Sequence, residues 1–457
     1  MKALALRLFV VIGLGILATG CGRAPGKTPA PTSKPNVIIV LVDTLRADHM
    51  GSYEYDRPTT PFLDQFATES VVFDRARSQA GCTFPSVNSL LTSRYPFDFI
   101  RQGEGQMGIP DEYPSIAEIL KTRGYTTIAV SASPIVRATP SKENPNAGFD
   151  RGFDVFDEKC LWGNAKCINK RAAKLLRDVQ EPFFLYLHYM DPHGHYSPPA
   201  EYAKQFATEY EGYDFIAEGD HNPIAEMLYN DGPEIEISDR DIQHLLDLYD
   251  DEIRYFDGQF ELLVDELRDQ GLFENSLIVL TSDHGEEFLE HGHIGHCRGV
   301  WDTLTRVPLM VRLPGASATG RVEEAVQLVD VVPTILNTLG ADGDFPTFEG
   351  ATLVPALEGG PPSRTYAFAD QSRYRATDDG RWQLILDGVE STATLYDLHS
   401  DPLQQTDLFT GSHPEVDRLS AALNQWLRDT GQWVNFDQAL AASKAKEEEL
   451  KALGYLR

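Results

Sequence analysis

The chain has 457 residues, with 69 Asp and Glu against 40 Lys and Arg, a formal net charge of −29. So acidic a surface disfavours nucleic acid and anionic lipid as partners and repels anionic substrates at long range. An anionic substrate must then be held by local cations, which bound metal ions would supply.

The leader, residues 1–21, carries Lys2 and Arg7 and then an apolar run over 8–18. That run is too short to span a bilayer and is laid out as a secretory signal. Leu17-Ala18-Thr19-Gly20-Cys21 resembles a bacterial lipoprotein cleavage box. The resemblance implies a lipid anchor on Cys21 at the periplasmic side of a bacterial cell envelope, and several acyl chains on one residue would hold it there stably. Residues 22–35, rich in Pro, Thr and Ser, read as a tether.

From Val37 the chain runs unbroken through β-branched and Leu residues to Asp43, the pattern of a strand buried on both faces. Such sheets carry their chemistry just past the strands' carboxyl ends, which makes Asp43 a candidate metal ligand. Thr83 lies in a turn between Gly81 and Pro85, and a helix is expected from Ser86. Free N–H groups at a helix start favour an anion. A helix N-cap is the plain structural alternative for both Asp43 and Thr83.

Strand-like runs recur at 71–73, 126–130, 183–187, 277–280 and 309–312, with helical patterns between them, as at 115–121 and 239–269. This alternation predicts an α/β fold with a mainly parallel sheet covered on both faces. Ser238, with Asp241 three residues on, is a predicted N-cap for the long helix. Residues 200–236 read as a surface insertion, and 330–336 begin a helix ending near Gly340. Beyond about 345 the character changes to short antiparallel strands at 381–386 and 394–396, a helix over 415–428, and a helical tail over 447–456.

Asp283-His284-Gly285 follows the strand run 277–280 and so also lies at a strand tip. Asp43, Asp283 and His284 would hold one divalent ion beside Thr83; carboxylates suit Ca, Mg or Mn, and imidazole admits Zn. Beyond the leader the cysteines are Cys82, Cys160, Cys167 and Cys297, for which sequence leaves three disulfide pairings open. The closeness of Cys160 and Cys167 favours a small loop, with Cys82 then facing Cys297.

Residues 36–49 and 82–96, then Thr281-Ser282-Asp283-His284-Gly285-Glu286-Glu287, Arg306-Val307-Pro308-Leu309 and Leu395-Tyr396-Asp397-Leu398, resemble the sulfatase family of the alkaline phosphatase superfamily, in the family's order. The resemblance implies an alkaline-phosphatase-like α/β sandwich over 36–345 and a small antiparallel subdomain over 346–457. It implies a metal-dependent hydrolase of sulfuric or phosphoric esters, with a small-molecule or glycan ester as substrate.

Three departures qualify the resemblance. Thr44 stands where sulfatases carry a further ligand Asp. Thr83-Phe84-Pro85-Ser86-Val87 replaces the Cys/Ser-x-Pro-x-Arg pattern, so formylglycine is not expected to form. Ser131-Ala132-Ser133-Pro134 replaces a Gly-Lys-x-His motif. Thr83-Phe84-Pro85 is instead similar to the Thr-Phe-Pro of nucleotide pyrophosphatase/phosphodiesterases, whose Thr is a metal-bound nucleophile. By the same likenesses His193 would contact the transferring group and His296 would protonate the leaving oxygen. Asp191 and His195 have the spacing that supplies a second ion in the phosphodiesterase branch. Arg46 reads equally as an anion contact or a structural ion pair. Two rival readings are a transferase moving a phospho-group onto an envelope glycan and an inactive binding lipoprotein.

Overall fold

Val37 to Val42 are shielded from water on every side, so the sequence's apolar run becomes a central strand, β1 (Asn36–Val42). A computed structural model of the chain describes residues 34–99, 108–206, 209–212, 237–341, 348–371, 373–390, 392–410 and 413–431. The leader, the tether up to residue 33, most of the 200–236 stretch and the 447–456 tail lie outside the described residues.

The strands that follow are β2 (Val71–Arg77), β3 (Thr126–Ser131), β4 (Val155–Asp157), β5 (Phe183–Tyr189) and β6 (Ser276–Thr281). Two short strands, β7 (Glu287–Phe288) and β8 (Ile294–Gly295), form a hairpin, and β9 (Arg306–Arg312) and β10 (Gly320–Gln327) return to the sheet. The order across it is β10-β2-β9-β6-β1-β5-β3-β4. Only β9 runs antiparallel to its neighbours, β2 and β6. The expected mainly parallel sheet is therefore present.

Alternate side chains of a strand point to opposite faces, and β1 divides accordingly. Ile38, Val40 and Val42 pack with Phe256 and Phe260 of the long helix Asp239–Asp269. Val37, Ile39 and Leu41 pack with Leu90, Ile116 and Leu336 on the other side. Ser238 caps the long helix in a capping box with Asp241, as its sequence predicts.

The helix after the Gly81 turn starts earlier than predicted, at Thr83 rather than Ser86. Pro85 is no obstacle there, because the first turn of a helix has N–H groups without intrahelical partners. The second sheet is antiparallel, β11 (Ala367–Gln371), β12 (Tyr374–Asp378), β13 (Trp382–Asp387) and β14 (Thr392–Asp397), in that order. Leu419, Leu423 and Trp426 of the helix Pro414–Asp429 cover it in a cluster that also takes in Tyr95 and Val329. Disulfides join Cys82 to Cys297 and Cys160 to Cys167, the pairing that loop proximity favoured.

Candidate active site

β1 lies between β5 and β6, so the ends of three adjacent strands meet at one edge. Asp43 follows β1 and is pinned there by its N–H bond to the Tyr189 carbonyl (2.9 Å). His188 comes from β5, opposite Leu41, and Asp283 follows β6. Asp43, His188 and Asp283 each offer a ligand atom within 4.8 Å of the others, and all three side chains are buried.

His188 Nε2 lies 3.1 Å from Asp43 Oδ2, while its Nδ1 lies 2.9 Å from the Tyr186 hydroxyl, which fixes the ring. Asp283 Oδ1 accepts the N–H groups of Thr44 (3.3 Å) and His284 (2.9 Å). Asp43 Oδ1 and Asp283 Oδ2 are buried and accept no hydrogen bond. Burial, then the neighbouring Asp43 charge, pushes the Asp283 carboxyl well above its ordinary range. Burial acts against Asp43 too, but the His188 hydrogen bond and the nearby His193 and His284 hold it low. Two buried carboxylates with orphaned oxygens and an oriented imidazole fit a divalent cation. His188 is the member that sequence reasoning missed; it lies within a uniformly buried strand, where nothing in the pattern sets it apart.

Thr83 opens a ten-residue helix that is buried throughout, with Cys82 at its N-cap and no side-chain cap. Its Oγ1 lies 3.2 Å from His284 Nε2. The same nitrogen lies 3.5 Å from Asp283 Oδ2 and 3.7 Å from Asp43 Oδ1, so His284 stands between the acid pair and the hydroxyl. Burial, reinforced by His296, drives the His284 pKa down to about 3. Neither Asp43 nor Thr83 serves as a side-chain helix cap.

Behind His284 the rings continue, His296 at 4.5 Å and then His193 at 5.1 Å from His296 between centroids. Burial opposes protonation of His296, yet the Glu286 carboxylate, 2.8 Å from its Nδ1, raises its pKa. Burial lowers His193 instead, against the pull of Asp43. Glu286 also accepts the Tyr196 hydroxyl at 3.2 Å. Its only sequence signal was its place in Asp283-His284-Gly285-Glu286, and no role was read for it. The Cys82–Cys297 disulfide ties the residue before Thr83 to the residue after His296. The Cys297 N–H meets the Gly81 carbonyl, and a Cβ on Gly81 would come within 2.8 Å of the Gly299 carbonyl, so only glycine allows this close approach.

A second metal centre at Asp191 and His195 is not assembled among the described residues. Asp191 accepts the Ala165 N–H at the start of the helix Ala165–Leu176 and faces Glu252, while His195 is exposed. Spacing alone does not say which way the chain turns after Pro192. Arg46 is an ion-pair residue, bound to Asp48 (2.8 Å), Glu290 (2.5 Å) and the Glu286 carbonyl (2.9 Å). His291 stacks on Trp301 and holds Glu287.

A strand-tip acid and imidazole cluster facing a helix-borne hydroxyl, on this sheet, defines a class of ester-cleaving α/β proteins. The Sulfatase family model matches residues 35–341, and the chain belongs to that family. Over 345 residues it is 27% identical to iduronate 2-sulfatase of Mus musculus, a match covering 63% of this chain and 61% of that protein. The chain thus spans less than two thirds of that relative. It is 26% identical over 451 residues to an ulvan-active sulfatase of Formosa agariphila, 87% of this chain and 82% of that one. The phosphonate monoester hydrolase of Agrobacterium radiobacter shares the fold, with a TM-score of 0.67 at 19% identity, covering 86% of this chain and 95% of that one.

Proposed function

We propose that the chain is a metal-dependent hydrolase of sulfuric or phosphoric esters, with Thr83 as nucleophile and phosphoesters as the preferred class. The observation that carries this reading is the Thr83 hydroxyl, 3.2 Å from His284 Nε2 beside the Asp43, His188 and Asp283 cluster. A divalent ion held by those three residues would supply positive charge that favours the alkoxide form of Thr83 and offsets charge on the transferring group. His284, kept neutral, orients the hydroxyl. Thr83 Oγ1, its proton passed to solvent, forms the bond to phosphorus or sulfur, and the bond to the leaving alcohol oxygen breaks. His296, kept protonated by Glu286, gives that oxygen its proton, with His193 alongside. Water then cleaves the Thr83 ester and regenerates the hydroxyl.

Phosphoesters are favoured because Thr83 and Val87 stand where the formylglycine precursor and its Arg would be in sulfatases. The leader and Cys21 support attachment at the periplasmic face of the cell envelope, and a glycan ester agrees with relatives that include an ulvan-active sulfatase. The test is a panel of sulfate esters, phosphate monoesters and phosphodiesters on the native protein and on Thr83→Ala. Turnover of phosphoesters lost in Thr83→Ala supports the reading; turnover of sulfate esters alone, or full activity in Thr83→Ala, overturns it.

A further inference from the structure

Beyond His193 the site opens into a cavity of about 770 Å³ that the chemistry above leaves unused. Trp162 lies on its rim with its ring centroid 5.8 Å from that of His193, and it is 49% exposed. Three features show that this indole is placed rather than stray. The Cys160–Cys167 disulfide closes the short loop that carries it. The backbone N–H of Trp162 donates to the Ala132 carbonyl at 2.9 Å. Its backbone is left-handed, φ +54°, a conformation that a bulky residue keeps only where its surroundings impose it.

Beside Met190 and Cys167, much of the rest of the lining is polar. Asn164, Ser197 and the facing carboxyls of Asp191 and Glu252 line the cavity, and Asp191 Oδ2 is buried without a hydrogen bond. No Lys or Arg lines it among the described residues. An apolar plate beside hydroxyl-bonding groups suits a ligand with one apolar face and many hydroxyls. With no Lys or Arg to pair with, a further anionic group is not held there, and the Asp191 and Glu252 carboxyls, pushed up by burial, serve as hydroxyl-bonding groups.

We propose that this cavity is the subsite for the leaving alcohol, and that the alcohol is a neutral sugar stacked on Trp162, with the scissile ester its only anionic group. This rests on the hydrolase reading, in which the departing oxygen faces His193, which lines the cavity, and His296, whose ring centroid is 5.1 Å from that of His193. Trp162 is a specificity-determining residue under this assignment. Sugars carrying extra sulfates or carboxylates are excluded.

The experiment compares phosphate and sulfate monoesters of glucose, galactose, mannose and N-acetylglucosamine with the corresponding methyl esters, whose leaving group is too small to reach the indole. It uses native protein, Trp162→Ala and Trp162→Phe, each metal-loaded and checked for fold by circular dichroism. Trp162→Ala is expected to lower the sugar-to-methyl ratio of kcat/KM at least about tenfold, chiefly through KM, and Trp162→Phe to restore it to within about threefold. Calorimetry with the same sugars unesterified should show binding weakened in Trp162→Ala, a readout that needs no turnover. An unchanged ratio, no sugar binding to native protein, or a preference for disulfated or uronate-bearing esters would each overturn the assignment. Methyl-ester activity surviving in Thr83→Ala would instead overturn the nucleophile and leave the sugar comparison standing.

Discussion

Removing the Cys82–Cys297 disulfide tests whether the two halves of the site are held together by a covalent tie. The cysteines are 215 residues apart, and the chain-entropy relation for a loop of that length gives about 5 kcal/mol. The Cys160–Cys167 loop, with a separation of 7, gives about 2.5 kcal/mol by the same relation. Domain stabilities run to about 5–15 kcal/mol, so loss of the long tie alone would leave the fold marginal. The assay is urea unfolding, followed by tryptophan fluorescence, of native protein, Cys82→Ala/Cys297→Ala and Cys160→Ala/Cys167→Ala. The first double variant should lose about twice as much stability as the second. It should also lose roughly ten- to a hundredfold in kcat, since the segments carrying Thr83 and His296 then lose their covalent tie and keep the Cys297–Gly81 backbone bond between them. Equal losses in the two variants, or the larger loss in the short loop, would refute the chain-entropy reasoning. Unchanged kcat would refute the positioning role.

Asp283→Asn should weaken divalent-metal binding by about a hundredfold or more, read by calorimetry, yet raise the Tm of the metal-free protein at neutral pH. The sign follows from the Asp283 carboxyl, which burial and Asp43 push up: its ionised form destabilises the fold above the unfolded pKa, and an amide of the same shape carries no charge. A lower Tm in metal-free Asp283→Asn would count against the cation site. In Glu286→Gln, His296 loses the carboxylate that raises its pKa while burial still lowers it. The acid form of His296 is lost as pH rises through that pKa, so the alkaline limb of kcat/KM should move to lower pH. Activity at a fixed pH above neutrality should then fall by about tenfold or more; an unmoved limb would remove His296 as the proton donor.

What the sequence revealed was what local chemistry dictates. The Ser238–Asp241 capping box needs only four neighbouring residues, and β1 needs only an unbroken apolar run, so both were legible. The strand-tip placement of Asp43, Asp283 and His284 was legible because each comes within three residues of a strand's end. His188 was not, since its role depends on β5 lying beside β1 with His188 opposite Leu41, a register no single strand encodes. The contacts of Asp191 were not legible for the complementary reason: its spacing to His195 is local, but its partners, Ala165 and Glu252, come from two distant helices. Thr83 was assigned to the site but not to the helix, because Pro85 reads as a stop unless the first-turn exemption is applied.

Thr44 holds φ +58°, a backbone setting that suits aspartate or asparagine far better than a β-branched residue. The exchange that separates this chain from the sulfatase pattern therefore runs against conformational preference. Restoring aspartate at 44 would relax the local backbone while adding a third negative charge beside Asp43 and Asp283. With threonine at 44 the pocket keeps two carboxylates rather than three, so it offers a bound divalent ion less negative charge than an aspartate there would.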